Sequence, residues 1–392
     1  MLHFLIRRTL SLPPSKPHSL WNHPWHHVKF SSTATATATT CSGSKGNSFT
    51  VSYLIDTCGF SPQRALSVSK HLNFETNEKP ELAFEFFKNH GLTQTQAVSI
   101  IRKSPQLLRA NFVKSVQPKI DYFKSKGFSD PDIRRIMMCW PTILKSSLEK
   151  EIIPSFDFLG NILQSNQNLT KVILKYAGIL CYFGKCLQPN IEVLREEGVP
   201  ESHVVRFIQY FPRQFTSSSK KFKEAVQAVK ELKFDPLKMQ FLVVVQVKLG
   251  ISRSTWLKRE GIYRKWGWTD NEISAAFKSQ PWCMAVSDNK IEAIMDFLVN
   301  KLGCTPSVIS RSSLVLSVSL EKRIIPRGSV IEVLLSKGLV KMPKLYGIFI
   351  PNEAVFLDKF VYRHEKEAAE LLKLYQAKLA LAGFKASKKF MK

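Results

Sequence analysis

Acidic side chains are scarce in this chain. Its 392 residues carry 31 Asp and Glu against 57 Lys and Arg, a formal net charge of +26, and no acid precedes Asp56. A surface this basic calls for a polyanionic partner, and nucleic acid is the commonest one; charge that only keeps the protein soluble is the competing explanation. Long apolar runs are missing too. No stretch of about 18 apolar residues occurs, so no segment is fit to cross a bilayer as a helix, and no membrane partner is expected. The seven cysteines form no paired CxxC. Cys181 and Cys186 have four residues between them and no second pair to complete a metal site, which points to buried, reduced thiols. HExxH and GxSxG are absent, and Gly43-Ser44-Lys45-Gly46 lacks the GxxxxGK[ST] spacing of a phosphate loop. The expectation is a protein that is not an enzyme and needs no cofactor or metal.

Residues 1–48 have the composition of an organelle transit peptide. They carry Arg7, Arg8, Lys16, Lys29 and Lys45, no acid, and the Ser/Thr-rich run Ser31–Thr40 behind an amphipathic start. Arg7-Arg8 and Lys29-Phe30 favour a mitochondrion, with the chloroplast as alternative. His3, His18, His23, His26 and His27 fall in this same Pro-rich segment, which argues against a metal site. Without the five leader cations, 52 basic residues remain against 31 acids, about +21, so the basicity belongs to the fold. At the other end, residues 376–392 read as a basic tail: from Leu371 onward there are six lysines and no acid.

Between these ends the chain repeats. Pro105, Pro141, Pro212 and Pro281 occupy one slot, with Gly178, about Val245 and Ser313 standing in, at steps of 32 to 37 residues. Four residues before the slot come Ile101, Met137, Leu174, Ile208, Phe277 and Ile309; three after it come Leu108, Leu144, Phe215, Met284 and Leu316. Pro118, Pro154 and Pro326 lie 13 residues beyond their slots. Each unit reads as two helices. Ala97, Ile100 and Ile101 share one face, as do Val116, Ile120 and Phe123. The first proline ends helix A, the second suits the first turn of helix B, and Gly127, Gly198, Gly267, Gly303 and Gly338 close helix B. Helix starts are marked by Thr93–Gln96, Ser129–Asp132 and Thr269–Glu272, and the Thr216–Ser219 connector offers N-cap oxygens. A weaker unit spans about Phe49–Gly91, with Tyr53-Leu54-Ile55 and Ala65-Leu66 as helical faces and Pro62 at a helix start, and a long helix covers Glu365–Leu381. A single hairpin cannot bury its stripe, so the expectation is an all-α solenoid of about eight units over residues 49–375.

Cations gather at the A–B junctions: Arg102, Lys103 and Arg109; Arg134, Arg135 and Lys145; Arg213, Lys220 and Lys221; Arg253, Lys258 and Arg259; then Lys278, Arg311, Lys322, Arg323 and Arg327. Junctions recur on one edge of a solenoid, so these residues are the candidate nucleic-acid track. Arginines among them can contact phosphates or guanine edges in a bidentate manner. Trp140, Phe211 and Trp282 flank the slot; packing between repeats explains them better than base stacking.

The proline-punctuated units, PxxL after each A helix, SLEK at Ser147–Lys150 and Ser319–Lys322, and IIPR at Ile324–Arg327 together resemble the mitochondrial transcription termination factor (mTERF) family in its plant form. The resemblance spans about residues 50–375. It implies two helices plus a short 3₁₀ turn per repeat, wound into a curved superhelix whose basic concave face binds double-stranded DNA or RNA in mitochondria or plastids. The implied role is transcription termination or regulation by a monomer. Intron splicing or RNA maturation is the alternative, and a scaffold for a ribosome-assembly or RNA-modifying partner is a third reading.

Overall fold

The computed structural model describes residues 45–381 and 383. Every regular element among them is helical, in keeping with the all-α expectation. The leader up to residue 44, with its histidines, and residues 384–392 of the tail lie outside the described residues. Contacts divide the chain after Ser219 into two compact units.

The first unit opens with α1 (Lys45–Asp56), α2 (Pro62–Ser69) and α3 (Glu78–Asn89). Three helices thus stand where the pattern suggested two, because Gly59, at φ +64°, turns the chain after α1. The boundary drawn at residue 48 falls inside α1. Pro62 occupies the first turn of α2, and Leu54 and Ala65 are buried, but Leu66 is 55% exposed and leaves the core.

Regular repeats follow. In the first, α4 (Gln94–Lys103) leads through the 3₁₀ turn Pro105–Arg109 and the π turn Phe112–Val116 into α5 (Gln117–Ser125). The next runs α6 (Asp130–Cys139), Pro141–Lys145, Leu148–Ile152 and α7 (Ile153–Leu163). The third runs α8 (Asn166–Lys175), Ala177–Cys181, Phe183–Leu187 and α9 (Gln188–Glu196). A fourth begins with α10 (Glu201–Tyr210) and the turn Pro212–Thr216. The second unit holds α11 (Ser219–Glu231), α12 (Met239–Gly250), α13 (Arg253–Lys265), α14 (Asp270–Ser279), α15 (Asp288–Asp296), α16 (Pro306–Arg311) and α17 (Ile325–Ser336). Its 3₁₀ turns are Pro281–Ala285 and Ser313–Ser317. It closes with α18 (Leu345–Phe349), α19 (Glu353–Leu357) and α20 (Ala368–Leu381).

Local chemistry explains these boundaries. Thr93, Ser129 and Thr269 each form a reciprocal capping box with Gln96, Asp132 and Glu272, satisfying two otherwise unpaired N–H groups. Prolines 118, 154, 189 and 326 sit in the first turns of their helices, where a missing N–H costs nothing. Gly127, Gly198, Gly267, Gly303 and Gly338 all take positive φ after helix B, as expected of a C-terminal cap. In the connector before α11, Thr216 Oγ1 donates to the Arg213 carbonyl and Ser219 Oγ to the Lys185 carbonyl.

The slot residues divide. Before each proline the chain is pulled out of helical geometry, as Ser104, Trp140, Phe211 and Gln280 show. Tyr176 takes the same extended φ of −155° ahead of a turn that starts at Ala177, not Gly178. With that one-residue correction the apolar offsets become Ile173 and Leu180, both fully buried, whereas Leu174 is only half-buried. Ser313 also keeps a turn. Val245 does not: it lies fully buried inside α12, which runs unbroken because nothing in its Val-rich sequence interrupts the ladder. The C-terminal helix starts at Ala368, three residues later than expected, and continues to Leu381, past the tail boundary drawn at 376.

The core is the expected stripe. Ala97, Ile100, Ile101, Leu108, Val116, Ile120 and Phe123 are buried, as are Leu144, Phe215, Met284 and Leu316. Each such aliphatic or aromatic side chain stabilises the stack by about 1.5–3 kcal/mol.

Candidate nucleic-acid interface

Neighbouring repeats are stitched by polar side chains, and the stitches decide which cations remain for a ligand. One line of stitches reaches the carbonyl three residues before the 3₁₀ turns that start at Pro105, Pro141, Pro212 and Pro281, an unpaired acceptor at the end of helix A. Arg64 Nη2 donates to Arg102 O at 2.7 Å, Lys103 Nζ to Met138 O at 2.7 Å, and Lys175 Nζ to Gln209 O and Tyr210 O at 3.3 and 2.7 Å. In the second unit Gln240 Nε2 reaches Lys278 O at 2.5 Å. A cation at a helix C-terminus is also favoured by the macrodipole. Burial holds the Lys175 ammonium below the ordinary lysine range.

The second line reaches the fourth residue of the next turn. Ser155 Oγ donates to Leu180 O at 3.3 Å, and Asn190 Nδ2 to Phe215 O at 3.3 Å and Ser217 O at 2.8 Å. Arg259 Nη1 donates to Met284 O, with Nε on Asp288 Oδ1 at 3.2 Å. Arg327 Nη1 donates to Ile348 O at 2.8 Å and Pro351 O at 2.9 Å, while its guanidinium lies 4.7 Å from the Phe356 ring centre. Asn190 and Arg327 each follow a first-turn proline and point inward, as Ser155 does.

Three of the candidate track residues are therefore corrected. Arg259 and Arg327 are buried, at 8% and 1% exposure, and their guanidinium groups close carbonyls of the following segment. Arg323 is half-buried, its Nη1 shared among Phe349 O, Ile350 O and Pro351 O at 3.1 to 3.3 Å. None of these presents a free guanidinium to a phosphate. Arg134 is half-buried beside Gly91. Lys103 and Lys221 are exposed but engaged, Lys221 on the Leu249 carbonyl at 2.9 Å. Lys258 pairs with Asp288 at 2.7 Å; that bond and Arg259 hold the Asp288 carboxyl below its ordinary range.

Arg102, Arg109, Arg135, Lys145, Arg213, Lys220, Arg253, Lys278, Arg311 and Lys322 are exposed. In the first unit the turn Pro141–Lys145 packs against Ala177–Cys181, and that turn against Pro212–Thr216. Lys145 Nζ bonds Gln106 Oε1 at 3.2 Å, tying in the turn before. Arg109, Lys145 and Arg213 thus sit on turns of one stack. The second unit also stacks its turns, Pro281–Ala285 on Ser313–Ser317, but neither carries a cation; Lys278 and Arg311 precede them. The aromatic flankers pack: Trp140 meets Tyr176 edge-on at 4.3 Å, and Phe211 lies 5.7 Å from Phe207. Trp282 is half-buried.

Lys114, Lys150, Lys185 and Lys290 escaped the list of junction residues, although they extend a row that includes Lys221 and Lys322, which were in it. Lys114, Lys150 and Lys322 each stand third in a π turn, nine residues beyond their slots, with Lys221 and Lys290 at the same offset and Lys185 third in its own turn. The register of the repeat was the signal that identifies them.

Among the described residues no cluster of His, Cys, Asp and Glu could hold a metal, and no helix is long and apolar enough to cross a membrane. Cys58, Cys181, Cys186, Cys283 and Cys304 are free and buried, as expected, and Cys139 is exposed. The family model for mTERF matches residues 41–238 and, in a second overlapping match, 165–357. No curated protein matches the chain.

Proposed function

The chain belongs to the mTERF family, whose members are organellar nucleic-acid-binding proteins built of helical repeats, and we propose that it binds double-stranded DNA in mitochondria and regulates transcription there, at termination. The observation that carries this reading is the placement of Arg109, Lys145 and Arg213, all exposed, on turns of one stack. A line of fixed cations neutralises phosphates and releases their counterions, an affinity that falls steeply with salt. Bound in this way, the protein is a roadblock or pausing factor on the duplex. The basic excess of the chain without its leader, 52 residues to 31, supplies the long-range attraction that brings a polyanion to it.

The deciding experiment is crosslinking of the tagged full-length protein in its organelle, with sequencing of bound DNA and bound RNA. Sharp DNA peaks near gene ends are expected. Enrichment of intron-containing transcripts instead would replace termination by RNA splicing, and neither signal above background would point to a protein scaffold. Charge reversal at Arg109, Lys145 and Arg213 should abolish the DNA peaks while the protein stays folded.

A further inference from the structure

We infer that Lys114, Lys150 and Lys185 form a second row of phosphate contacts, along the starts of the B helices, on which the backbone of a bound nucleic-acid strand lies. This inference rests on the nucleic-acid reading above and names which side chains carry it. The three lysines recur in register, each third in the turn that opens a B helix. The backbone N–H groups of Lys114 and Lys150 donate to the capping oxygens of Asn111 and Ser147 at 2.9 and 3.1 Å, which fixes both residues in the first turn.

Helix stability does not explain a lysine there. The N-terminal end of a helix carries the positive pole of its dipole, so an acid in the first turn is favoured by about 0.3–1 kcal/mol and a lysine works against it. Stitching does not explain it either. In the second unit the equivalent Lys221 and Lys290 reach carbonyls of the following segment, Leu249 O at 2.9 Å and Ser317 O at 3.4 Å. The ammonium groups of Lys114, Lys150 and Lys185 are exposed and have no hydrogen-bond or ion-pair partner among the described residues. Of the acids flanking Lys150, Glu151 accepts the Phe183 N–H at 2.6 Å and Glu149 the Ser147 hydroxyl at 3.4 Å.

The turns of Lys150 and Lys185 are in contact, and the Lys114 turn reaches the repeat that carries Lys150. The Leu148–Ile152 turn packs on Phe183–Leu187, and Phe112–Val116 on the Pro141–Lys145 turn of the next repeat. Packed helices stand about 8–10 Å apart, and one strand of a duplex advances about 3.4 Å per phosphate. Successive ammonium groups are therefore far enough apart to meet separate phosphates. The regular spacing suits a repeating backbone better than the irregular charges of a folded acidic protein.

The test compares the full-length protein with a K114Q/K150Q/K185Q variant and with a K79Q/K88Q/K171Q control, which removes three exposed lysines of the same unit away from the row. Binding to a random-sequence 30-bp DNA duplex and to a 30-nucleotide single-stranded RNA is titrated against salt, with circular dichroism as the folding check. The row variant should lose about 2–3 from the log K against log salt slope on the duplex, at about 0.9 per phosphate contact. Its affinity at low salt should fall about tenfold or more, and the control should keep the wild-type slope. A row variant with the wild-type slope, or a control that falls equally, overturns the row while leaving the nucleic-acid reading in place. A wild-type protein with no steep slope on either probe overturns both. A row that governs binding to polyglutamate but neither slope overturns the proposal in favour of an acidic protein partner.

Discussion

Arg327 shows how one residue's surroundings reverse its meaning. It follows a first-turn proline in a basic IIPR segment and reads as a track residue, yet its guanidinium is buried and closes the carbonyls of Ile348 and Pro351. Removing a buried donor leaves each acceptor desolvated and unpaired, a cost of about 1–3 kcal/mol per group. Arg327→Ala should therefore destabilise the protein by about 3 kcal/mol, read as a lower urea midpoint at constant m-value. Arg213→Ala, at an exposed site, should leave the midpoint unchanged and weaken nucleic-acid binding. The distinction was partly legible in the sequence, because Ser155 and Asn190 hold the same register as Arg327 and carry no charge, so that register is not part of a basic track. Arg259 gave no such signal. It stands on α13, after the α12 segment that lacks a proline and blurs the register, and only the fold reveals that it performs the same stitch on Met284.

At the scale of the element, boundaries set by local chemistry were the most legible. Capping boxes, first-turn prolines and left-handed glycines each act within a few residues, so the chain spells them out. Thr93, Ser129 and Thr269 bear this out, as each hydroxyl accepts a first-turn N–H. Ser129→Ala should cost about 1 kcal/mol, and Ser129→Asp should retain most of it, since either side chain can accept that bond; thermal unfolding of the two variants measures the difference. What failed at this scale was inference from a missing residue. The absent proline at Ala177 leaves the turn intact, because Tyr176 adopts the extended geometry without it, whereas at Val245 the same absence lets α12 continue. The missing proline by itself therefore does not decide between turn and helix.

For the molecule as a whole, the repeat and the charge were legible from the outset, but the division of the charge was not. Arg64, Lys103, Lys175, Lys221, Arg259, Lys290, Arg323 and Arg327 all donate to backbone carbonyls, so part of the basic excess holds the stack together. The exposed remainder repels itself in the free protein, and self-repulsion at high net charge opposes the compact state. Salt screens that repulsion, with a Debye length of about 10 Å at 0.1 M. Raising NaCl from about 50 to about 300 mM should therefore raise the thermal midpoint of the free protein. A bound duplex stabilises the folded state by RT ln(1 + [L]/Kd), about 2.7 kcal/mol at a hundredfold excess over Kd. Because Kd itself rises steeply with salt, that added stability should shrink over the same range. The two midpoints, free and duplex-bound, should converge from opposite sides as salt increases, a pattern differential scanning calorimetry can resolve. Parallel salt dependences would mean that the exposed cations answer one another and not a polyanion.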